Sequence, residues 1–213
     1  MKKVISLFQR NYDGDRLVRD EIVPGAEWVV AGEGVATRKF DGTCCLVEGG
    51  KLYKRYDHKP DNWKAIQRAL KQGRDVPEPI FSSPPDDFRP AQDPDPITLH
   101  WPGWLPVGDG PEDKWHRQVN VAIVIPDRLD KMIDYVPDGT YELCGPAIGG
   151  NTEGFEVHTL VRHGVEQLVG VPVDFDGLKE YLREANIEGI VWHHPDGRMV
   201  KIKRKDFFKA GEA

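Results

Sequence analysis

Cysteine is scarce in this 213-residue chain, and the three present are badly placed for cross-linking: Cys44 and Cys45 are adjacent and Cys144 stands alone. An odd count with two neighbours implies no disulfide framework, and without a CxxC pair a structural zinc site has no pattern to build on. They read as small apolar residues in a reducing, cytoplasmic setting. No apolar run approaches the ~18 residues a membrane span needs. Residues 1–10 carry Lys2 and Lys3, a short apolar stretch and no small-residue cleavage site. They read as part of the fold and not as a signal peptide. The motifs GxxxxGK[ST], GxGxxG, HExxH and GxSxG are all missing, and the nearest approach, Gly149 to Gly154, is followed by Phe155 where a P-loop needs lysine. P-loop NTPases, Rossmann enzymes, zincins and α/β-hydrolases lose most of their support. No repeat of 20–50 residues is visible.

What is present is ordinary globular composition, with 39% hydrophobic and 30% charged residues. That excludes wholesale disorder and a collagen-like fibre. The length predicts a single domain over residues 1–213, able to bury roughly 70% of its unfolded surface. A monomer is expected. The net charge of −6 argues against a nucleic-acid partner until its distribution is seen. Residues 74–113 hold nine acids and two bases, so the rest of the chain sums to +1. Basic clusters stand at Lys51, Lys54, Arg55 and Lys59 and at Lys201, Lys203, Arg204, Lys205 and Lys209. The 74–113 segment also holds ten of the seventeen prolines, which remove backbone donors. It reads as a long acidic insertion, unsuited to a central strand or a long helix. Residues 75–96 are expected as a mobile surface strap, with Trp101 to Val107 docked on the domain.

Strand signals surround the insertion. Thr37 to Glu48 and Lys51 to Tyr56 flank Gly49-Gly50, a hairpin signal. Val119 to Ile125, Gly139 to Leu143 and Val157 to Val161 are further strand candidates. Ile187 to Trp192 and Met199 to Lys203 flank Pro195-Asp196-Gly197, a second hairpin. Two helices are expected: one around Trp63, Ile66 and Leu70, with Asp61 as N-cap and Gly73 as stop, and one around Leu178, Tyr181, Leu182 and Ala185, with Asp176 before and Asn186 after. Many strands, few helices and no βαβ series predict an α+β fold with mostly antiparallel sheets flanked by a few helices.

The chemistry-bearing residues begin at Lys39-Phe40-Asp41-Gly42. A KxDG tetrad alone is a weak signal, and its bland reading is a surface lysine before a turn. Glu142 lies inside the strand-like Gly139 to Leu143, and Glu188 opens Gly189-Ile190-Val191-Trp192. A carboxylate buried in an apolar strand is costly without a partner. Period-2 alternation puts Lys201 and Lys203 on one strand face and Val200 and Ile202 on the other. Two lysines on one face repel unless an anion lies between them. A lysine nucleophile, metal-binding carboxylates and two phosphate-binding lysines would explain all of these together.

The ordered set KxDG, strand-borne glutamate, EGIVW and KxK resembles the covalent nucleotidyltransferase superfamily of ATP-dependent DNA and RNA ligases and mRNA capping enzymes. It is most similar to the small single-domain 5′-to-3′ RNA ligases. Lys39 to Cys45, Glu142-Leu143, Gly149 to Gly154, His158 to Gly164 and Ile187 to His193 carry the likeness, which spans roughly residues 35–205. The implied fold is a nucleotidyltransferase (ligase adenylation) domain. Only ten residues follow Lys203, so the OB domain of DNA ligases and capping enzymes is not expected.

The resemblance implies an ATP-dependent RNA ligase acting in RNA repair. Lys39 would attack the α-phosphate of ATP, release pyrophosphate and carry AMP, which then passes to an RNA 5′-phosphate before a 3′-hydroxyl displaces it. It further implies that Lys39, Asp41, Gly42, Arg55, Glu142, Glu188, Lys201 and Lys203 bind the nucleotide, and that Glu188, Glu142 and Asp41 hold Mg²⁺, or Mn²⁺ in its place. Glu142 is alternatively a ribose contact. Lysine is almost all ammonium at neutral pH, so Lys201, Lys203 and the metal are expected to lower the Lys39 pKa. The residue that stacks on adenine stays open among Phe155, His158 and His163. His193-His194 reads as a polar pair beside a turn. The alternatives are a DNA ligase or RNA guanylyltransferase of the same superfamily, or a non-catalytic RNA-binding descendant.

Overall fold

A computed structural model describes residues 2–12, 14–96, 99–119, 136–209 and 211. Of the expected strand Val119 to Ile125, all but Val119 lies outside the described residues. The strands, in chain order, are β1 (Ile5–Ser6), β2 (Phe8–Arg10), β3 (Val18–Ile22), β4 (Val35–Lys39), β5 (Thr43–Glu48), β6 (Lys51–His58), β7 (Arg89–Pro90), β8 (Trp101–Pro106), β9 (Gly139–Cys144), β10 (Thr159–Arg162), β11 (Gly189–His193) and β12 (Met199–Lys203). The α-helices are α1 (Glu27–Val30), α2 (Trp63–Lys71), α3 (Lys114–Arg117), α4 (Phe175–Glu184) and α5 (Arg204–Phe207). The fold is α+β with mostly antiparallel sheets; β1 pairs with β12 in parallel, while β2–β3, β4–β11, β5–β6, β6–β8, β7–β8 and β11–β12 are antiparallel. Contacts divide the chain into two compact units.

One unit takes in Thr43–Gln118. Its sheet carries the strands in the order β5-β6-β8-β7. β5 and β6 form the expected hairpin, Glu48 facing Lys51. Gly49 and Gly50 both take positive φ, 58° and 72°, as a two-residue turn demands. The expected strand from Thr37 onward is broken at Phe40 to Gly42, and its first part, β4, belongs to the other unit.

The insertion does supply an inner strand, against expectation. β8, with the sequence Trp-Pro-Gly-Trp-Leu-Pro, pairs with β6 on one side and β7 on the other. The Pro102 carbonyl accepts from Ala91 N at 2.9 Å, on the β7 side. A strand residue turns its N–H and C=O to the same neighbour, so Pro102, Trp104 and Pro106 all face β7. The missing proline donors therefore fall where the neighbour is only two residues long, and the β6 ladder keeps all of its donors. Preceding residues are fastened as well. Asn62 donates to the Glu78 carbonyl (2.8 Å) and accepts from Ile80 N (3.1 Å), and Ser82 donates to Asp61 (2.9 Å). Phe81 and Phe88 join His58 and Trp101 in a cluster of rings. The strap is pinned to its unit. Asn62, and not Asp61, stands at the N-cap of α2, whose Ile66 and Ala69 point inward.

The other unit takes in Val4–Gly42 and the described residues from Glu142 onward. Its main sheet runs β1-β12-β11-β4. Val200 and Ile202 of β12 and Ile190 and Trp192 of β11 bury one face of this sheet. They pack with Leu7, Phe8, Trp28, Leu178, Leu182 and Phe207 into one core. Leu178 and Leu182 come from α4, as the spacing expects, but Asp174 and not Asp176 caps it, accepting from Gly177 N at 2.8 Å. The opposite sheet face is left to Lys39, Val191, His193, Lys201 and Lys203, which is where the polar chemistry lies.

Candidate active site

Strand register builds the site. Lys39 closes β4 and pairs with Gly189, which opens β11 and pairs on its other side with Lys203, the last residue of β12. The two lysines thus flank Gly189 in a single row across the sheet. Glu188, just before that glycine, reaches both: Oε2 accepts from Lys39 Nζ, and Oε1 accepts from Lys203 Nζ at 2.5 Å. An anion is expected between Lys201 and Lys203; the carboxylate of Glu188 lies instead between Lys39 and Lys203. Gly189 is required by packing, because a Cβ there would overlap the Ile202 carbonyl oxygen and come within 2.9 Å of Lys203 Cα.

The loop after Lys39 is held as tightly. A Cβ on Gly42 would overlap the Leu143 carbonyl oxygen and stand 2.9 Å from Glu142 Cγ and 3.0 Å from Cys144 Sγ. The glycine of KxDG lets this loop lie against the end of β9. Asp41 accepts from Thr152 Oγ1 at 3.1 Å, and its backbone N donates to Glu153 at 2.8 Å. Glu153 also takes the Arg38 guanidinium at 2.6 Å. Arg38 lies over the Phe40 ring, 4.6 Å from its centroid. Glu142, buried, meets the His163 ring at 2.9 Å.

Among the protein's own groups, the carboxylates prevail at Lys39. Burial alone would lower the Lys39 pKa, but Glu188, Glu142 and Asp41 outweigh it and hold Lys39 above the ordinary lysine value. Lys203 pairs with Glu188. Burial would raise Glu188, yet Lys39 and Lys203 hold it below the usual carboxylate range. The Cys144 thiol is pushed up to about 12 by burial and by Glu142, Glu153 and Asp41. Carboxylates dominate the field there. Among the described residues Asp41, Glu142 and Glu188 do not gather their oxygens into one metal-binding group, and both Glu188 oxygens are taken by lysines.

Lys39, Asp41, Gly42, Glu142, Glu188 and Lys203 therefore fall within one unit, joined by these contacts. Lys201 shares the Lys203 face, two residues back, opposite Val191. Arg55 belongs to the other unit, where it donates to Asp57 at 3.1 Å and lies over Trp104 at 5.3 Å. Of the three residues left open for adenine, His163 is engaged by Glu142, His158 is buried, and Phe155 is half-buried with its carbonyl accepting from Asn151. His193 is no loose turn residue: its ring meets Thr37 Oγ1 at 3.1 Å, and burial and His163 lower its pKa. Glu153 is a site residue that the sequence does not single out, although it lies in Gly149 to Gly154, one of the stretches that carry the family resemblance.

The family model for RNA ligase 1 matches residues 17–209. RNA ligase 1 of Mus musculus is 33% identical, the match covering 80% of this chain and 65% of that protein. RNA ligase 1 of Rattus norvegicus is 32% identical, with 80% and 66% covered. That of Danio rerio is 30% identical, with 79% and 66% covered. The chain spans just under two thirds of the relatives it matches. With nine-tenths of its length inside the family model, the chain belongs to the RNA ligase 1 family.

Proposed function

We propose that this protein is an ATP-dependent RNA ligase that joins a 5′-phosphate to a 3′-hydroxyl, with Lys39 as the covalent carrier of AMP and RNA repair as its setting. The observation that supports this most is the row Lys39, Gly189, Lys203 with Glu188 bridging the two ammonium groups. A lone surface lysine before a turn would need no such arrangement. The relatives' name, RNA ligase 1, supports RNA over DNA as the substrate.

Lys39 Nζ must pass a proton to solvent before it can attack. Its contact with Glu188 opposes that loss. Glu188 drawn toward Lys203 alone would release Lys39, and Lys203 would in turn contact the α-phosphate. The Nζ–P bond forms as the bond from the α-phosphorus to the bridging oxygen breaks, and pyrophosphate leaves. An RNA 5′-phosphate oxygen then attacks the same phosphorus, and Lys39 takes up a proton from solvent and departs as the amine. The 3′-hydroxyl finally gives its proton to solvent and attacks the RNA 5′-phosphorus, forming the phosphodiester and expelling AMP. Glu153 fixes Arg38 and the Asp41 backbone, so the loop that carries the KxDG aspartate is set before substrate arrives.

The test is intact-mass spectrometry after incubation with ATP and Mg²⁺. The wild-type protein is expected to gain one AMP, on Lys39, through an acid-labile and alkali-stable bond. Lys39→Ala should gain none. An adduct that persists in Lys39→Ala, or that forms with GTP in place of ATP, would refute this assignment.

A further inference from the structure

Several basic side chains are held in ion pairs. Lys54 is bound to Asp113 at 2.5 Å, Arg55 to Asp57 at 3.1 Å, and Arg89 to Glu48. Helix α2 differs. Its outer face carries Lys64, Arg68 and Lys71 at i, i+4 and i+7, with Gln67 and Gln72 between and beyond them. All five are exposed, and they line a groove of about 310 Å³. No carboxylate stands on α2. The chain then turns at Gly73 and runs back until Glu78 and Ile80 bond to Asn62 at the start of the helix. It brings Asp75 and Glu78 past α2, yet among the described residues none of the three cations forms an ion pair. A helix that needed only solubility would gain from i,i+4 Glu–Lys pairs. Here glutamine takes those places, and three like charges remain uncompensated in a protein of net charge −6.

We infer that this face of α2 is a docking surface for the phosphate backbone of single-stranded RNA. Lys64 and Lys71 lie about 10 Å apart along the helix axis, so the three cations form one line suited to successive phosphates. Glutamine amides donate to phosphate or ribose oxygens without adding charge. The contact is electrostatic and positions the strand without reading its sequence. This surface rests on the RNA ligase reading for its biological meaning, but its test does not depend on that chemistry.

The test is anisotropy of a short fluorescein-labelled single-stranded RNA with the full chain from 50 to 200 mM NaCl. Each phosphate neutralised on a single strand contributes about 0.7 to the log–log salt slope. Three give about 2, or roughly a 20-fold difference in how far binding falls across that range. The variant K64Q/R68Q/K71Q is expected to lose this part of the slope. The charge-preserving K64R/R68K/K71R should retain it. Both keep good helix formers on an exposed face, and far-UV circular dichroism checks that α2 survives. An unchanged slope in the glutamine variant would overturn the inference. So would loss of binding to phosphatidylserine vesicles in that variant while its RNA slope holds, because the face would then serve a membrane. Adduct formation with labelled ATP, measured on the wild type in parallel, reports on the ligase chemistry separately.

Discussion

Glu153 supports the loop beside Lys39 through two contacts, and removing it has a calculable effect. Its carboxylate is only 5% exposed and accepts from the Arg38 guanidinium at 2.6 Å and from Asp41 N at 2.8 Å. Breaking a buried ion pair by deleting one partner costs about 3–5 kcal/mol. Arg38 is 25% exposed and keeps Glu166 at 3.5 Å and the Phe40 ring, which sets the loss near the lower end. Glu153→Ala is therefore expected to cost about 3 kcal/mol. In a chain of this size that lowers the melting temperature by roughly 6–12 °C. Glu153→Gln keeps an oxygen for the Asp41 N–H but loses the charge that Arg38 needs, so about half of the loss should remain. Differential scanning fluorimetry or calorimetry on the three proteins measures this directly. A melting temperature for Glu153→Ala within about 1 °C of wild type would refute the reasoning. A glutamine variant less stable than the alanine variant would also refute it, because the order follows from which contact each side chain retains.

Gly42→Ala should destabilise by at least ~1–3 kcal/mol, because its methyl group meets the backbone of β9 and has nowhere to move; a wild-type denaturant midpoint would show that the loop can shift freely. Asp113 is nearly fully buried. Burial would raise its pKa, but hydrogen bonds from Lys54 and Gly108 N hold it below the carboxylate value of 3.8. A group depressed on folding stabilises above its unfolded pKa and loses that contribution as pH falls through the folded value. Asp113→Asn, which strands Lys54, should therefore cost about 3 kcal/mol at pH 7. The difference from wild type should narrow below about pH 4, and a gap that stays constant or widens with acid, measured by urea melts across pH, would contradict the Lys54 pairing.

Much of the fold could be read from local pattern. The turn glycines at 49 and 50 and the alternation in Met199–Lys203 each state their structure within a few residues. Proline in β8 could not be read that way. Whether a missing donor matters depends on which neighbour it faces, and β7 is a distant two-residue strand. The caps failed for a similar reason. Asp61 looks like the N-cap of α2, but its side chain is claimed by Ser82, 21 residues on.

The site divides along the same line. Lys39, Glu188 and Lys203 could be chosen because each lies in a short string with a chemical rationale, and hairpin register brings the last two together without any long-range information. Glu153 could not, since its partners Arg38 and Asp41 are 115 and 112 positions away. The direction of the Lys39 pKa is the deeper case. Counting charges in the motifs pairs Lys201 and Lys203 against Asp41, Glu142 and Glu188, and the count alone does not decide the sign. Distance decides it, because interaction energy falls as charges separate and rises as water is excluded. Glu188 sits between the lysines and satisfies both, so Lys203 reaches Lys39 only through an intervening anion. The placement of one carboxylate, and no count of motif charges, therefore sets the direction in which the Lys39 pKa moves.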